Sequence, residues 1–294
     1  METLVVEAPS HTPTPVDRVV AAVDELPPLP TVMSRLLLVV ADADHTLQDI
    51  TAVVRLDTSL AAATLRLANS ARYRPASGDV ESLEKAVQVL GEKLLVQLVL
   101  VRAAGVLRPR ALSGYGYGAE GYWKRSVRTA IASADLAERC GVPSGLAWAS
   151  GLMIDIGKMV LGQFLESLVH EVLSVADGRF GGAFDAAERH VVGIDHAELG
   201  WHLARKWGIP EPIAQAVRSH HHPGGHPDHQ RLLYVVHVAD AVAAMSCPEP
   251  GVDGMRYPLD PQWTRFVPLG ERELQEALLR VEAGIVEAEK MMRI

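Results

Sequence analysis

Cysteine is nearly absent from this 294-residue chain, which holds only Cys140 and Cys247. Two thiols that far apart make neither a disulfide framework nor a CxxC metal site, and they fit a reducing, cytoplasmic setting. Aromatic residues are scarce as well, at 5%. Ala, Leu and Val therefore dominate the apolar set, a balance that favours helices packed closely on one another. No apolar run reaches the ~18 residues of a membrane span: residues 94–101 are interrupted by Gln97, and residues 36–41 are too few. Basic charge is short too. Lys and Arg number 28 against 36 Asp and Glu, a net charge of −8, so the chain gives no electrostatic reason to expect general nucleic-acid binding, which relies on phosphate neutralisation. Residues 1–16 lack the basic and apolar regions of a signal peptide, and their Pro and Thr content reads as a disordered lead-in. No period of roughly 20–50 residues points to a solenoid.

What is present is 48% hydrophobic and helical in pattern nearly throughout. Apolar residues return at helical spacing over 19–25, 31–41, 47–55, 59–68, 83–90 and 92–107. The pattern resumes over 120–139, 146–165, 184–191, 197–207, 211–220, 231–245 and 272–292. The punctuation agrees with it. Pro27, Pro28 and Pro30 stop the first helix and open the second. Asp57 and Ser82 suit N-caps, Gly91 suits a helix end, and Asn69 suits a left-handed C-cap. Alternating Gly114, Gly116 and Gly118 with Tyr115 and Tyr117 cannot hold a regular element, and their spacing is not that of a P-loop. These signals predict an all-α chain. Its expected parts are a helical lobe at 17–111, a central lobe at 119–223, and an extension at 224–294 whose closing helix packs on the central lobe.

The chemistry-bearing positions are few. Residues 151–158 read Gly-Leu-Met-Ile-Asp-Ile-Gly-Lys. Ile154 has no lone pair to offer a cation, whereas Asp155 beside it does. Lys158 reads as a solvated helix charge. Arg125, in the preceding helix, is permanently charged and repels a cation. Asp240 offers a further carboxylate, and Asp195 is placed to cap the helix that begins beside His196. A tract at 219–229 carries His220, His221, His222, His226 and His229. Such density can bind Zn or Ni adventitiously, but the near-contiguous spacing also suits a loop whose first histidines face a helix C-terminus. No metal site is expected, and these five histidines are the candidates for one.

A series of short motifs carries a resemblance. It runs from Leu26-Pro27-Pro28-Leu29-Pro30 through Leu65-Arg66-Leu67-Ala68-Asn69-Ser70-Ala71 and Ala86-Val87-Gln88-Val89-Leu90-Gly91. It continues with Tyr122-Trp123 and Ser126, residues 151–157, Asp195-His196-Ala197-Glu198-Leu199-Gly200, Trp207-Gly208-Ile209-Pro210 and His220-His221-His222-Pro223. Together these resemble the HDOD family, the HD-related output domain of bacterial signalling proteins. The resemblance implies an all-helical fold with two lobes and a regulatory role without well-established catalysis. It also places the first two metal ligands of an HD phosphohydrolase at Arg125 and Ile154, where neither side chain can serve, so that a pair between Arg125 and Asp155 is the expected cross-link in the ion's place. Asp155 and Asp240 would be the remaining carboxylates, and His196 with His220 or His221 resembles the outer histidines of dinuclear relatives.

The expected function is a non-catalytic signalling protein that acts through a partner protein or a small ligand and needs no cofactor. Two alternatives stay open: a metal-dependent phosphohydrolase acting on nucleotides or cyclic dinucleotides, and a nucleotide sensor that does not cleave. Nucleic acid and membrane are not expected partners, and a homodimer stays open.

Overall fold

The computed structural model of the protein describes residues 15–106, 111–118 and 120–293. Most of the lead-in expected at 1–16 thus lies outside the described residues, and Pro15 and Val16 already belong to the first helix. The chain is all-α. Among the described residues the sole β pairing is a single bridge between Leu112 and Tyr117.

The first lobe contains α1 (Pro15–Glu25), α2 (Thr31–Ala41), α3 (Leu47–Arg55), α4 (Thr58–Ala68) and α5 (Leu83–Val106). Local chemistry sets their ends. Thr46 and Asp49 form a reciprocal capping box on α3. The Asp57 carboxylate accepts from the Ser59 and Leu60 amides at 2.8 and 3.1 Å. Gly91 breaks α5 with φ 73°, a conformation that glycine adopts without a Cβ penalty. Asn69 differs from expectation: it stays right-handed, at φ −89°. Its carboxamide instead clamps Val80, donating to the carbonyl and accepting from the amide, both at 2.8 Å. That side-chain clamp closes the loop without a left-handed residue.

The second lobe contains α6 (Gly121–Cys140), α7 (Ser144–Met153), α8 (Lys158–Leu165), α9 (Val169–Arg179), α10 (Phe184–Val191), α11 (His196–Lys206), α12 (Glu211–Ser219) and α13 (Gln230–Ser246). Helix α14 (Glu271–Arg293) closes the chain. Helix α6 is the axis, packed on α7, α13 and α14. The closing helix also reaches α5, so it touches both lobes. Helix α9 has no counterpart among the expected helices; it buries only Val172 and Ala176, too thin a stripe to read as periodic.

The helix expected over 146–165 is two helices. A turn at 154–157 separates them, with Ile156 N donating to Met153 O at 3.1 Å and Lys158 N to Asp155 O at 2.9 Å. Gly157 makes this possible. A Cβ there would fall on the His196 carbonyl oxygen and lie 2.6 Å from the Gly200 amide nitrogen. Two backbones meet where side chains are missing, which brings the start of α11 against Asp155. The Gly-Tyr stretch is equally integral. Tyr115 and Tyr117 are buried, and Tyr115 O accepts from Val252 N at 2.9 Å, drawing the irregular segment after α13 over the centre of the lobe.

Candidate functional site

The resemblance points to a site between α6, the 154–157 turn, α11, the end of α12 and α13, and the structure brings those residues together. Arg125, Asp155, Lys158, His196, His220, His221 and Asp240 are all buried at this junction. Ile154 is buried too, but in an apolar cluster with Leu136, Leu233 and Val236.

The expected pair between Arg125 and Asp155 is not the one that forms. Arg125 donates to Asp240 instead, to Oδ1 at 2.6 Å and to the backbone carbonyl at 3.0 Å. Helix α13 packs directly on α6 and presents Asp240 to the guanidinium, whose planar fork suits two parallel contacts. Lys158 corrects the second expectation. It is 1% exposed rather than solvated. Its Nζ lies 2.9 Å from Asp155 Oδ1 and 2.6 Å from Asp253 Oδ2, and Tyr257 donates to the same Asp253 oxygen at 2.9 Å. The ammonium also sits over the Tyr115 and Tyr257 rings at 5.4 and 5.6 Å. Burial works against this charge, yet the two carboxylates keep the Lys158 pKa well above its ordinary value. Burial likewise pushes the Asp155 carboxyl up, but Lys158, His196, His220 and Arg125 outweigh it and hold it below the usual carboxylate range.

The histidines form a second layer. His196 Nδ1 donates to Glu188 Oε2 at 2.7 Å, and Glu188 Oε1 accepts from Tyr115 at 2.6 Å. His196 Nε2 lies 2.9 Å from His221 Nε2 and 3.7 Å from Asp155 Oδ1. His220 Nδ1 donates to the Val217 carbonyl at 2.8 Å, which leaves its Nε2 as an acceptor 3.8 Å from Asp155 Oδ1. His221 stacks on Tyr257 with ring centroids 3.9 Å apart. Burial and His196 push the His220 pKa down to about 3. Burial lowers His196 as well, but Glu188 overcomes it and the net shift is upward. One proton on His196 therefore serves the contact with His221.

Two metal positions can be tested against these side chains. The primary HD position does not fit a cation. Ile154 supplies no donor atom, Arg125 holds Asp240, and the Lys158 ammonium is already on Asp155. The outer position does fit. His196, His220 and His221 each offer a ring nitrogen within 4.8 Å of the others, all buried. The Nε2 of His220 has no hydrogen-bond partner among the described residues. Contacts from Glu188 and the Val217 carbonyl orient two of the rings, as outer partners of metal-bound histidines do. The other three candidates lie elsewhere. His222 turns outward to Asp185 Oδ2 at 2.9 Å, His226 is half-buried, and His229 is exposed.

Glu188, Asp253, Tyr115 and Tyr257 were not expected at this site. Asp253 and Tyr257 come from an irregular segment without periodicity, and Glu188 lies in a short helix whose carboxylate would ordinarily face solvent. The Gly-Tyr alternation was the one signal that marked Tyr115.

Residues 26–223 match the HDOD domain, so the chain belongs to the HDOD family. The fold is that of solved members. An HDOD domain protein of unknown function from Geobacter sulfurreducens superimposes with a TM-score of 0.66 at 22% identity, over 95% of this chain and 96% of that one. A candidate phosphohydrolase from Shewanella amazonensis SB2B gives 0.66 at 25% identity, over 93% and 97%. A candidate signal transduction protein from Marinobacter aquaeolei VT8 gives 0.67 at 24% identity, over 92% and 60%. Among curated proteins, an uncharacterized protein of Treponema pallidum (strain Nichols) is 26% identical over 222 residues, 72% of this chain and 40% of that protein. A ribonuclease Y of Thermus thermophilus is 31% identical over 152 residues, 52% of this chain and 20% of that enzyme. The chain thus matches only a minor part of the length of these curated relatives. No helix among the described residues is long and apolar enough to cross a membrane.

Proposed function

We propose that this HDOD protein works in signal transduction by binding, and that it does not hydrolyse phosphoesters. The observation that carries this reading is the Lys158 ammonium, 2.9 Å from Asp155 and 2.6 Å from Asp253. A metal-dependent hydrolase needs a cation that polarises phosphate and keeps an open position for water. Here a protein cation takes the carboxylate, a second protein cation takes Asp240, and Tyr257 covers the histidines. Lys158 has no open coordination site and cannot turn water into hydroxide. The partner is a protein of the same signalling system, met in the reducing cytoplasm that suits free Cys140 and Cys247. With Mn²⁺ or Mg²⁺, the purified protein is expected to release no product from cyclic dinucleotides or nucleoside monophosphates above a blank. Turnover that disappears in the Asp155→Ala variant would overturn this reading.

The ring nitrogens of His196, His220 and His221 favour one addition. A buried set of three imidazoles suits a single Zn²⁺-type ion. The ion would replace the proton shared by His196 and His221 and tie α11 to the end of α12. Its role there is cross-linking. Protein purified without a metal-affinity column and dialysed against Zn²⁺ is expected to retain about one equivalent, matching the single site, and to unfold at a higher temperature than chelator-treated protein. No retained metal and no difference in melting would remove the ion from this account.

A further inference from the structure

Helix α14 touches both lobes, and it is held differently from the helices of the core. Its buried residues are Ala277, Val281, Ile285, Ala288 and Met291. Two of those five are alanines, which bury little apolar area. The larger Leu279 and Val286 face away, 72% and 49% exposed. A cleft of about 330 Å³ remains between α14 and helices α5, α6 and α7, so this seam is not filled to the density of a protein interior. Close approach occurs where glycine removes a side chain, at Gly284 against Ile131 and at Gly105 against the tip of Met292.

Ion pairs supply much of the rest, and nearly all have one polarity. Glu276, Glu282, Glu287 and Glu289 of α14 pair with Arg139, Arg128, Arg72 and Lys124 of the body. Arg102 donates to the Met291 carbonyl at the helix C-terminus, at 3.4 Å. One pair, Arg280 with Asp135 at 2.7 Å, runs the other way. The helix itself is acidic, with six glutamates against four Arg and Lys. Arg72, Lys124 and Arg139 are 61%, 37% and 31% exposed; pairs in such a setting contribute little each and are screened by salt. The groove under α14 is therefore cationic at its edges and apolar at its floor, where Leu94, Val101, Ile131 and Trp148 lie.

The cations of the groove fall within the HDOD match at 26–223, and α14 lies beyond it. We propose that α14 is a displaceable occupant of this groove and that an acidic amphipathic helix of a signalling partner takes its place. Apolar anchors at helical spacing would fill the floor, and carboxylates facing Arg72, Lys124, Arg128 and Arg139 would fix the register. While α14 is docked the groove is closed to such a helix, so the contact is autoinhibitory. The proposal rests on the reading of the protein as one that acts by binding, and it names the surface. Phosphoester turnover is a separate assay, so either can fail without the other.

The test uses the full chain and a labelled peptide of residues 271–293 as the acidic helix. A tethered resident competes at an effective concentration near millimolar, so the parent chain should bind the peptide only weakly. Glu287→Lys with Glu289→Lys in the chain loosens the resident alone. It should tighten peptide binding about tenfold, the worth of two exposed pairs turned from attraction to repulsion. The same two changes in the peptide should weaken its binding to that variant about tenfold, for the same reason. A Cβ on Gly284 would lie 3.0 and 3.3 Å from the γ carbons of Ile131, so Ile131→Cys with Gly284→Cys brings two thiols within disulfide reach. The oxidised form should bind no peptide, and reduction should restore binding. Amide exchange of the parent needs no substitution: α14 should exchange faster than α6, and faster still when NaCl rises from about 0.1 M to about 1 M. The proposal fails if the charge-reversed chain and the parent bind the peptide alike, if the oxidised form still binds it, or if α14 is as protected as α6 at both salt concentrations. A dimer in light scattering that oxidation abolishes would give the groove to a second copy of the chain and overturn the partner reading.

Discussion

Replacing Lys158 by methionine should lower the free energy of unfolding by about 3–5 kcal/mol, the loss expected when one member of a buried ionic cluster is removed. The ammonium is the charge between Asp155 and Asp253, and the side chains involved are 2–4% exposed. Methionine has similar volume, so the loss would be electrostatic rather than a cavity. Urea unfolding of Lys158→Met, Asp253→Asn and the double variant separates the two. The double variant should be more stable than the sum of the singles predicts, because the second change removes a carboxylate that the first left uncompensated. A loss within the ~0.5 kcal/mol typical of surface substitutions would mean that Lys158 is solvated after all.

Arg125→Met should cost a similar amount, about 3–5 kcal/mol, since Asp240 then lies buried with its principal partner gone. The double-mutant cycle is the sharper measurement. Arg125→Met with Asp240→Asn should show a coupling energy of roughly 1–3 kcal/mol, and Arg125→Met with Asp155→Asn much less. The distances behind this are 2.6 Å from Arg125 to Asp240, against an Asp155 whose first neighbour is Lys158. A cycle in which Asp155 carries the larger coupling would reverse the pairing described above.

Much of the fold was legible in the residues. Caps at Asp57, Ser82 and Asp195 and the stop at Gly91 are local chemistry, and the helices they bound follow from apolar spacing over single turns. The break at 154–157 was not legible, because its cause is the backbone of α11 pressing on Gly157. Nothing in residues 151–158 alone distinguishes a glycine needed by a distant helix from one merely tolerated. The HDOD resemblance named positions that the structure brings together, but it did not give their partnerships. Asp155 and Asp240 both face α6, so adjacency of helices cannot say which one Arg125 takes. Lys158 reads as solvated because Asp253, which buries it, comes from a proline-rich segment with no pattern to follow. The outer histidines show the same division. Glu188 satisfies His196 within the lobe; that His220 Nε2 and Asp155 Oδ1 would lie 3.8 Å apart depends on the approach of α11 and α12.

The ionic contacts at the centre join residues far apart along the chain. Arg125 and Asp240 are 115 residues apart, and Lys158 and Asp253 are 95. A ribosome that has delivered only the residues before Asp240 has therefore exposed both cations and neither of these two carboxylates. Sealing the second lobe at that stage would strand charge in an apolar interior, whereas leaving it open costs only the burial yet to come. Synthesis thus imposes an order: α6, α7 and α8 can form as they emerge, but the lobe can shut only after Asp253 has cleared the exit tunnel. A shortened chain that stops before that point should persist as a loosened, chaperone-bound species rather than as a smaller native domain.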